Sequence, residues 1–250
     1  MIADLCVSGN CPKGTLSRII AQHRLFGYGI AAIETIFQPS PKATVPPPNT
    51  VIESSPLSSF HNIQASLNPP VQLLPRITIV LESRSFLHFF NTNSSHLRGY
   101  DLVAVRPTTE DTFRLACGEL EVDVISIDLS QRLPFHLKHT QLKQALKRGV
   151  YFEIIYFNLL MDPDNSFNTP RMNFISNVSQ LLSVTKGQNC FFSSGSRDPF
   201  DLRAPFDIMN LVSLFNLPIS VGKSMVFEVP NKVLLHIEGR KAERSIVYLK

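Results

Sequence analysis

The sequence predicts an α/β chain folded as a distorted TIM-like (β/α) barrel, with about seven parallel strands and a helical C-terminus. Three observations lead there. Short β-branched runs alternate with helix-period segments, and no two-residue hairpin turn joins them, so neighbouring strands must pair in parallel through crossovers. The run Arg76-Ile77-Thr78-Ile79-Val80-Leu81 is largely apolar on both faces, as a strand covered on both sides must be. Neither a G-x-G-x-x-G turn nor a P-loop follows any strand, which disfavours an open nucleotide-binding sheet.

The elements follow in order. Residues 2–5 open the chain as a short strand. Residues 12–26 read as a helix, with Leu16, Ile19, Ile20 and His23 on one stripe and Gly27 and Gly29 ending it. Residues 29–34 form the next strand. Residues 38–72 break the rhythm with eight prolines among many Ser and Asn, and read as a partly disordered inserted loop within a single domain over 1–250. Strand 76–81 is followed by a short helix at 85–91 and a strand at 100–105. The helix at 109–117 starts on a Thr108 or Thr109 cap, with Glu110 and Asp111 favourable in its first turn. A strand at 122–127, a helix at 140–148 stopped by Gly149, and a strand at 150–156 come next. The helix at 171–185 carries Phe174, Ile175, Val178, Leu181 and Leu182 on one face and stops at Lys186-Gly187. A seventh strand, 189–193, precedes three helical stretches at 204–215, 220–228 and 231–243.

Composition excludes several classes. The chain is 44% apolar and 18% charged, too hydrophobic for a disordered protein. Four Cys in 250 residues are too sparse for a disulfide scaffold. No run reaches the roughly 18–20 apolar residues of a membrane-spanning helix, so no membrane is expected. The first residues lack the basic and apolar regions of an export signal, and the cysteines are expected as free thiols. The net charge of +4 is unevenly spread: +1 over residues 1–75, −3 over 76–130 and +6 over 131–250. A basic C-terminal half suits a partner with phosphates.

In a barrel, chemistry gathers at the C-terminal ends of the strands. Asp4, Glu34 and Glu153 fall there, as barrel-mouth carboxylates that could serve as acids, bases or metal ligands. Glu153, between Phe152 and Ile154, needs a cationic partner. The histidines do not complete a metal site: His136 and His139 lie three apart in a connection, and no H-x-H or H-E-x-x-H spacing occurs. No catalytic residue, metal or cofactor is expected. Ser193-Ser194-Gly195-Ser196 has no nucleophile-elbow pattern, but such a turn can present amides and hydroxyls to an anion. With Lys186 before it and Arg203 after it, phosphate contact is the better functional reading. Arg98, Arg148, Arg171, Lys186, Ser193, Ser194, Arg203, Arg240 and Lys241 are the candidates for contact with a nucleic-acid backbone. The competing reading is a metal-dependent phosphoesterase using Asp4, Glu34 and Glu153.

A series of blocks then resembles one family. Arg76 to Val80, Tyr100-Asp101-Leu102-Val103-Ala104-Val105 and Leu133-Pro134-Phe135 come first. Arg148-Gly149, Phe152-Glu153, Tyr156, Lys186-Gly187, Asn189 and Ser193-Ser194 follow. Arg203, Pro205, Asp207, Asn210-Leu211, Leu214-Phe215 and Leu217 form the densest block, and Leu234-Leu235-His236, Glu238 and Arg240-Lys241 the last. In this order they resemble the thirty-kilodalton protein subunit of ribonuclease P and ribonuclease MRP, itself related to phosphoesterase barrels of the polymerase-and-histidinol-phosphatase type. The resemblance implies a seven-stranded distorted TIM barrel. It implies a non-catalytic subunit of a nuclear, nucleolar particle whose RNA removes the 5′ leader of precursor tRNA, with a role in rRNA processing through the MRP particle. It also implies ribonuclease P/MRP RNA, precursor tRNA and a small RRM-like subunit as partners. Leu5-Cys6-Val7 stands where the phosphoesterase relatives carry His ligands, which argues against a retained metal centre.

Overall fold

The structure is a computed structural model that describes residues 2–40, 43–47, 71–90, 97, 99–160 and 169–247. Arg98 and residues 41, 42 and 48–70 of the insertion expected at 38–72 lie outside the described residues.

Seven strands form one sheet in the order of the sequence, and every neighbouring pair is parallel. They are β1 (Ala3–Ser8), β2 (Ile30–Phe37), β3 (Gln72–Leu81), β4 (Leu102–Pro107), β5 (Val124–Ser126), β6 (Tyr151–Ile155) and β7 (Cys190–Ser193). The sheet curls until its edges meet. Beyond β7, Ser196 bridges to Val7, the Ser8 amide donates to the Ser196 carbonyl at 3.1 Å, and the Gly195 amide donates to Cys6 at 2.8 Å. The sheet is thus nearly closed at its mouth and fits the expected TIM-like barrel.

The outer layer holds α1 (Lys13–Leu25), α2 (Glu110–Gly118), α3 (His139–Lys147), the short α4 (Phe157–Leu160) and α5 (Thr169–Thr185). Leu16, Ile19, Ile20 and His23 of α1 are buried, as their spacing predicts. On α5 the buried stripe is Phe174, Val178, Leu181 and Leu182; Ile175 is 38% exposed, so that position belongs to the solvent edge. Thr109 caps α2 in a reciprocal capping box with Thr112. The chain leaves α5 through left-handed residues at Lys186 and Gly187.

The boundaries move where propensity is weak. β3 starts at Gln72, four residues before Arg76, because pairing with β2 continues through Pro75. β5 is three residues long, since Asp123 turns its carboxylate back to the Val103 amide at 2.9 Å. The helix expected at 204–215 is α6 (Pro205–Leu211) tightened into a 3₁₀ turn, Val212–Phe215, ending at left-handed Asn216. The last stretch is one helical run: α7 (Ile219–Lys223), a π turn (Ser224–Glu228) and α8 (Val229–Val247). Val229, Val233 and Ile237 of α8 pack on Ala3, Ile30, Leu102, Val124, Tyr151 and Phe191, which lie at or near the N-terminal ends of the strands. That helix plugs the floor of the barrel.

Candidate functional site

Side chains alternate along each strand, so every second residue points into the barrel. Above the apolar floor, this rule places charged residues in the lumen. Arg76 on β3 is completely buried and lies between Glu34 on β2 and Glu153 on β6. Its two terminal nitrogens donate to both Glu153 oxygens at 2.5 and 2.6 Å. One of them also donates to the Leu5 carbonyl at 2.6 Å, and the other lies 3.5 Å from Glu34 Oε1. Its Nε donates to the Thr78 hydroxyl at 3.2 Å, and that hydroxyl donates to Glu34 at 2.6 Å. Arg106 on β4 reaches Glu34 at 3.4 Å. Burial raises the Glu34 carboxyl, but Arg76, Arg106 and the Thr78 hydroxyl outweigh it and hold the group below its ordinary value. Burial pushes the neighbouring Cys6 thiol well up, so it is held as the neutral thiol.

Asp4 does not join this group. It points outward from β1, where Oδ2 lies 2.8 Å from His23 Nε2 on α1. Its other oxygen accepts from the Ser194 amide at 3.0 Å and from the Cys6 amide at 3.3 Å. His23 Nδ1 faces the Ile19 carbonyl at 2.8 Å. Asp4 therefore ties β1 to α1 and to the chain leaving β7. A centre built from Asp4, Glu34 and Glu153 is not assembled, because the first sits on the opposite face and Arg76 occupies the other two. This donor set does not fit the divalent ion of the phosphoesterase barrels. Among the described residues no cluster of three His, Cys, Asp or Glu could hold a metal.

The Ser193–Ser196 turn is also used internally, which corrects its reading as an anion cradle. The Ser194, Gly195 and Ser196 amides go to Asp4, the Cys6 carbonyl and the Ser194 hydroxyl. The Ser194 hydroxyl bonds Cys6 O, and both Ser193 and Ser194 are buried. The turn closes the barrel.

The basic candidates divide. Arg148 gives its guanidinium to the Ala116, Cys117 and Leu120 carbonyls at the end of α2. Arg171 donates to Leu159 O at 3.1 Å. Arg240 grips the fully buried Asp123 with two bonds of 2.9 and 2.8 Å and reaches Asp101 O at 2.6 Å. His236 lies 3.2 Å from the same carboxylate, and Lys241 pairs with Asp101. These contacts fasten α8 across the barrel floor. Arg203 is exposed, though its guanidinium touches the Phe200 and Leu202 carbonyls. Lys186 is exposed at the α5–β7 turn. His136 and His139 are exposed and hold no partner role in the site.

Sequence reasoning passed over Arg76, Asp123 and Lys232 as site residues. For Arg76 a signal existed: a cation in a strand apolar on both faces requires carboxylates, and Glu34 and Glu153 stand on strands of the same barrel.

The fold and site define a class first: a barrel of enzyme-like architecture whose mouth charges are neutralised among themselves. Residues 1–242 match the family described as RNase P subunit p30, and the chain belongs to that family. It is 32% identical over 246 residues to the Ribonuclease P protein subunit p30 of Mus musculus, covering 98% of this chain and 89% of the relative. It is 35% identical over 178 residues to the Probable ribonuclease P protein subunit 3 of Schizosaccharomyces pombe, covering 71% and 72%. Among solved structures it superposes on a chain of an archaeal ribonuclease P with mature tRNA at a TM-score of 0.67, with 13% identity and coverage of 94% and 91%. That last likeness is one of fold.

Proposed function

We propose that, within the ribonuclease P particle whose protein subunit it is, this chain binds structured RNA and does no chemistry itself. The observation that carries this reading is the family match over nearly the whole chain. The buried Arg76 pairing supports the non-catalytic part, since both mouth carboxylates already serve a guanidinium. Lys and Arg of the basic C-terminal half would neutralise backbone phosphates, fixing the shape of an RNA without reading its bases. The reaction supported is removal of the 5′ leader from precursor tRNA, in a nuclear and nucleolar setting, with a related role in rRNA processing through the MRP particle. Partners on this reading are the particle RNA, precursor tRNA and a small RRM-like subunit.

The test is gentle recovery of the tagged chain from its own cell, with sequencing of bound RNA and an assay of precursor-tRNA cleavage. One abundant structured RNA with leader cleavage, lost on nuclease treatment, is the expected result. A chain recovered without RNA and without cleavage would overturn the reading.

A further inference from the structure

On the barrel floor, a cavity of about 360 Å³ opens between the α5–β7 turn and the last helical run. Lys186 and Lys232 of α8 both line it, together with Gln188, Asn189 and Ser220. Both lysines are exposed, and neither ammonium forms a hydrogen bond or ion pair among the described residues. No Asp or Glu lines the cavity; Glu228 nearby accepts from the Ser224 hydroxyl at 2.9 Å. The lining thus carries two positive charges with no internal compensation.

Two other basic cavities differ. Arg148 and Arg240 share one with Glu121, but their guanidiniums already serve carbonyls and Asp123. Arg18 and Arg203 share another with exposed Leu25 and Phe200, and nothing there fixes an occupant.

The turn itself is built for this placement. Lys186, Gly187 and Asn189 all adopt left-handed backbone, with φ of 54°, 78° and 51°. After a helix such a position favours Gly or Asn, so a Lys there is strained. Gly187 is required, because a Cβ would lie 2.4 Å from Val221 Cγ1. The turn is locked against α7 with its lysine held at the rim.

We propose that this cavity is a phosphodiester-binding site, at which Lys186 and Lys232 clamp the backbone of the RNA. The inference rests on the RNA-binding reading above. Two ammonium groups beside a hydroxyl and an amide suit a phosphate, which a point charge can approach from many directions. A lysine ammonium binds phosphate as a point charge, as in known phosphate sites, and needs no fixed approach geometry.

The experiment uses the full chain and the ribonuclease P RNA of its own organism, transcribed in vitro, titrated at several salt concentrations. Lys186→Asn keeps the left-handed backbone while removing the charge, and Lys232→Gln removes the second; thermal melts confirm folding. Each variant should weaken binding about five- to tenfold near 0.1 M salt and reduce the log–log salt slope by about 0.7–0.9. Lys186→Arg and Lys232→Arg should restore the slope. If the wild-type chain binds but the double variant keeps its affinity and slope, this site is wrong and the RNA-binding reading survives. A double variant with unchanged RNA binding that no longer joins a protein subunit in reconstitution also overturns it. A wild-type chain that binds no RNA overturns both.

Discussion

The mouth and the floor of this barrel solve opposite problems. At the mouth, where barrel enzymes keep reactive groups, Glu34, Glu153 and Arg76 turn inward and bind one another out of reach of water. At the floor, charge is used to fasten: Asp123 is gripped by Arg240 and approached by His236, so α8 is held over the strand ends. The floor also carries Lys186 and Lys232, whose ammonium groups have no internal partner among the described residues. A charge that is saturated inside the fold contributes to its shape. A charge left over is available to a ligand. The proposed phosphate contact therefore lies on the face opposite the usual active site.

The most severe break should come at the mouth. Arg76→Ala strands two buried carboxylates, and removing one partner of a buried ion pair typically costs about 3–5 kcal/mol. Urea unfolding should show a loss of that size. Replacing Arg76 and Glu153 together by apolar residues of similar volume should recover part of it. An unchanged midpoint in Arg76→Ala would mean that the carboxylates need no internal cation.

The floor should respond less. Arg240→Ala leaves the buried Asp123 with the Val103 amide and a half-exposed His236, so some compensation remains. We expect a loss of about 2–3 kcal/mol, because charged hydrogen bonds of this kind contribute about 1.5–3 kcal/mol. Arg240→Lys should recover only part, since a single ammonium cannot make the two-pronged contact. Hydrogen exchange should report the loss first in α8. Asp4→Ala should cost about 1–3 kcal/mol by leaving the Ser194 amide and His23 buried without their acceptor. Its readout is faster exchange at the β1–β7 seam and not at the floor, which separates the two regions.

Much of the barrel was legible in the sequence because its determinants are local. A run apolar on both faces marks β3, period-3.6 stripes mark α1 and α5, and Thr109, Gly27 and Gly187 mark where helices start or stop. The site was less legible, because its geometry is non-local. Asp4, Glu34 and Glu153 all sit near strand ends, but a one-residue change of face sends Asp4 outward to α1 while the others meet inside. The Ser193–Ser196 turn looks like an anion cradle until the barrel closes on it. Arg148 and Arg240 read as surface charges until α2 and Asp123 are brought beneath them. Lys232 gains meaning only from lining the same cavity as Lys186, more than forty residues away in the chain.

The smallest effect is the most direct probe of the mouth. Glu34 is held below its ordinary value in the folded chain, whereas in the unfolded chain it titrates near that value, about 4.3. A depressed carboxyl contributes stability that is fully present above the unfolded value and is lost as pH falls through the folded one. Unfolding free energy should therefore be insensitive to this group from neutral pH down to about 5 and decline below that. One such proton can contribute a slope of at most about 1.4 kcal/mol per pH unit. Glu34→Gln lowers stability at all pH but should remove this share of the acid slope, while Glu110→Gln, whose carboxylate is exposed beside Lys138, should alter it less because solvent screens that pair. Equal slopes in Glu34→Gln and the wild-type chain would show that Arg76 does not hold Glu34 ionised, and the contrast between a neutralised mouth and a charged floor would lose its basis.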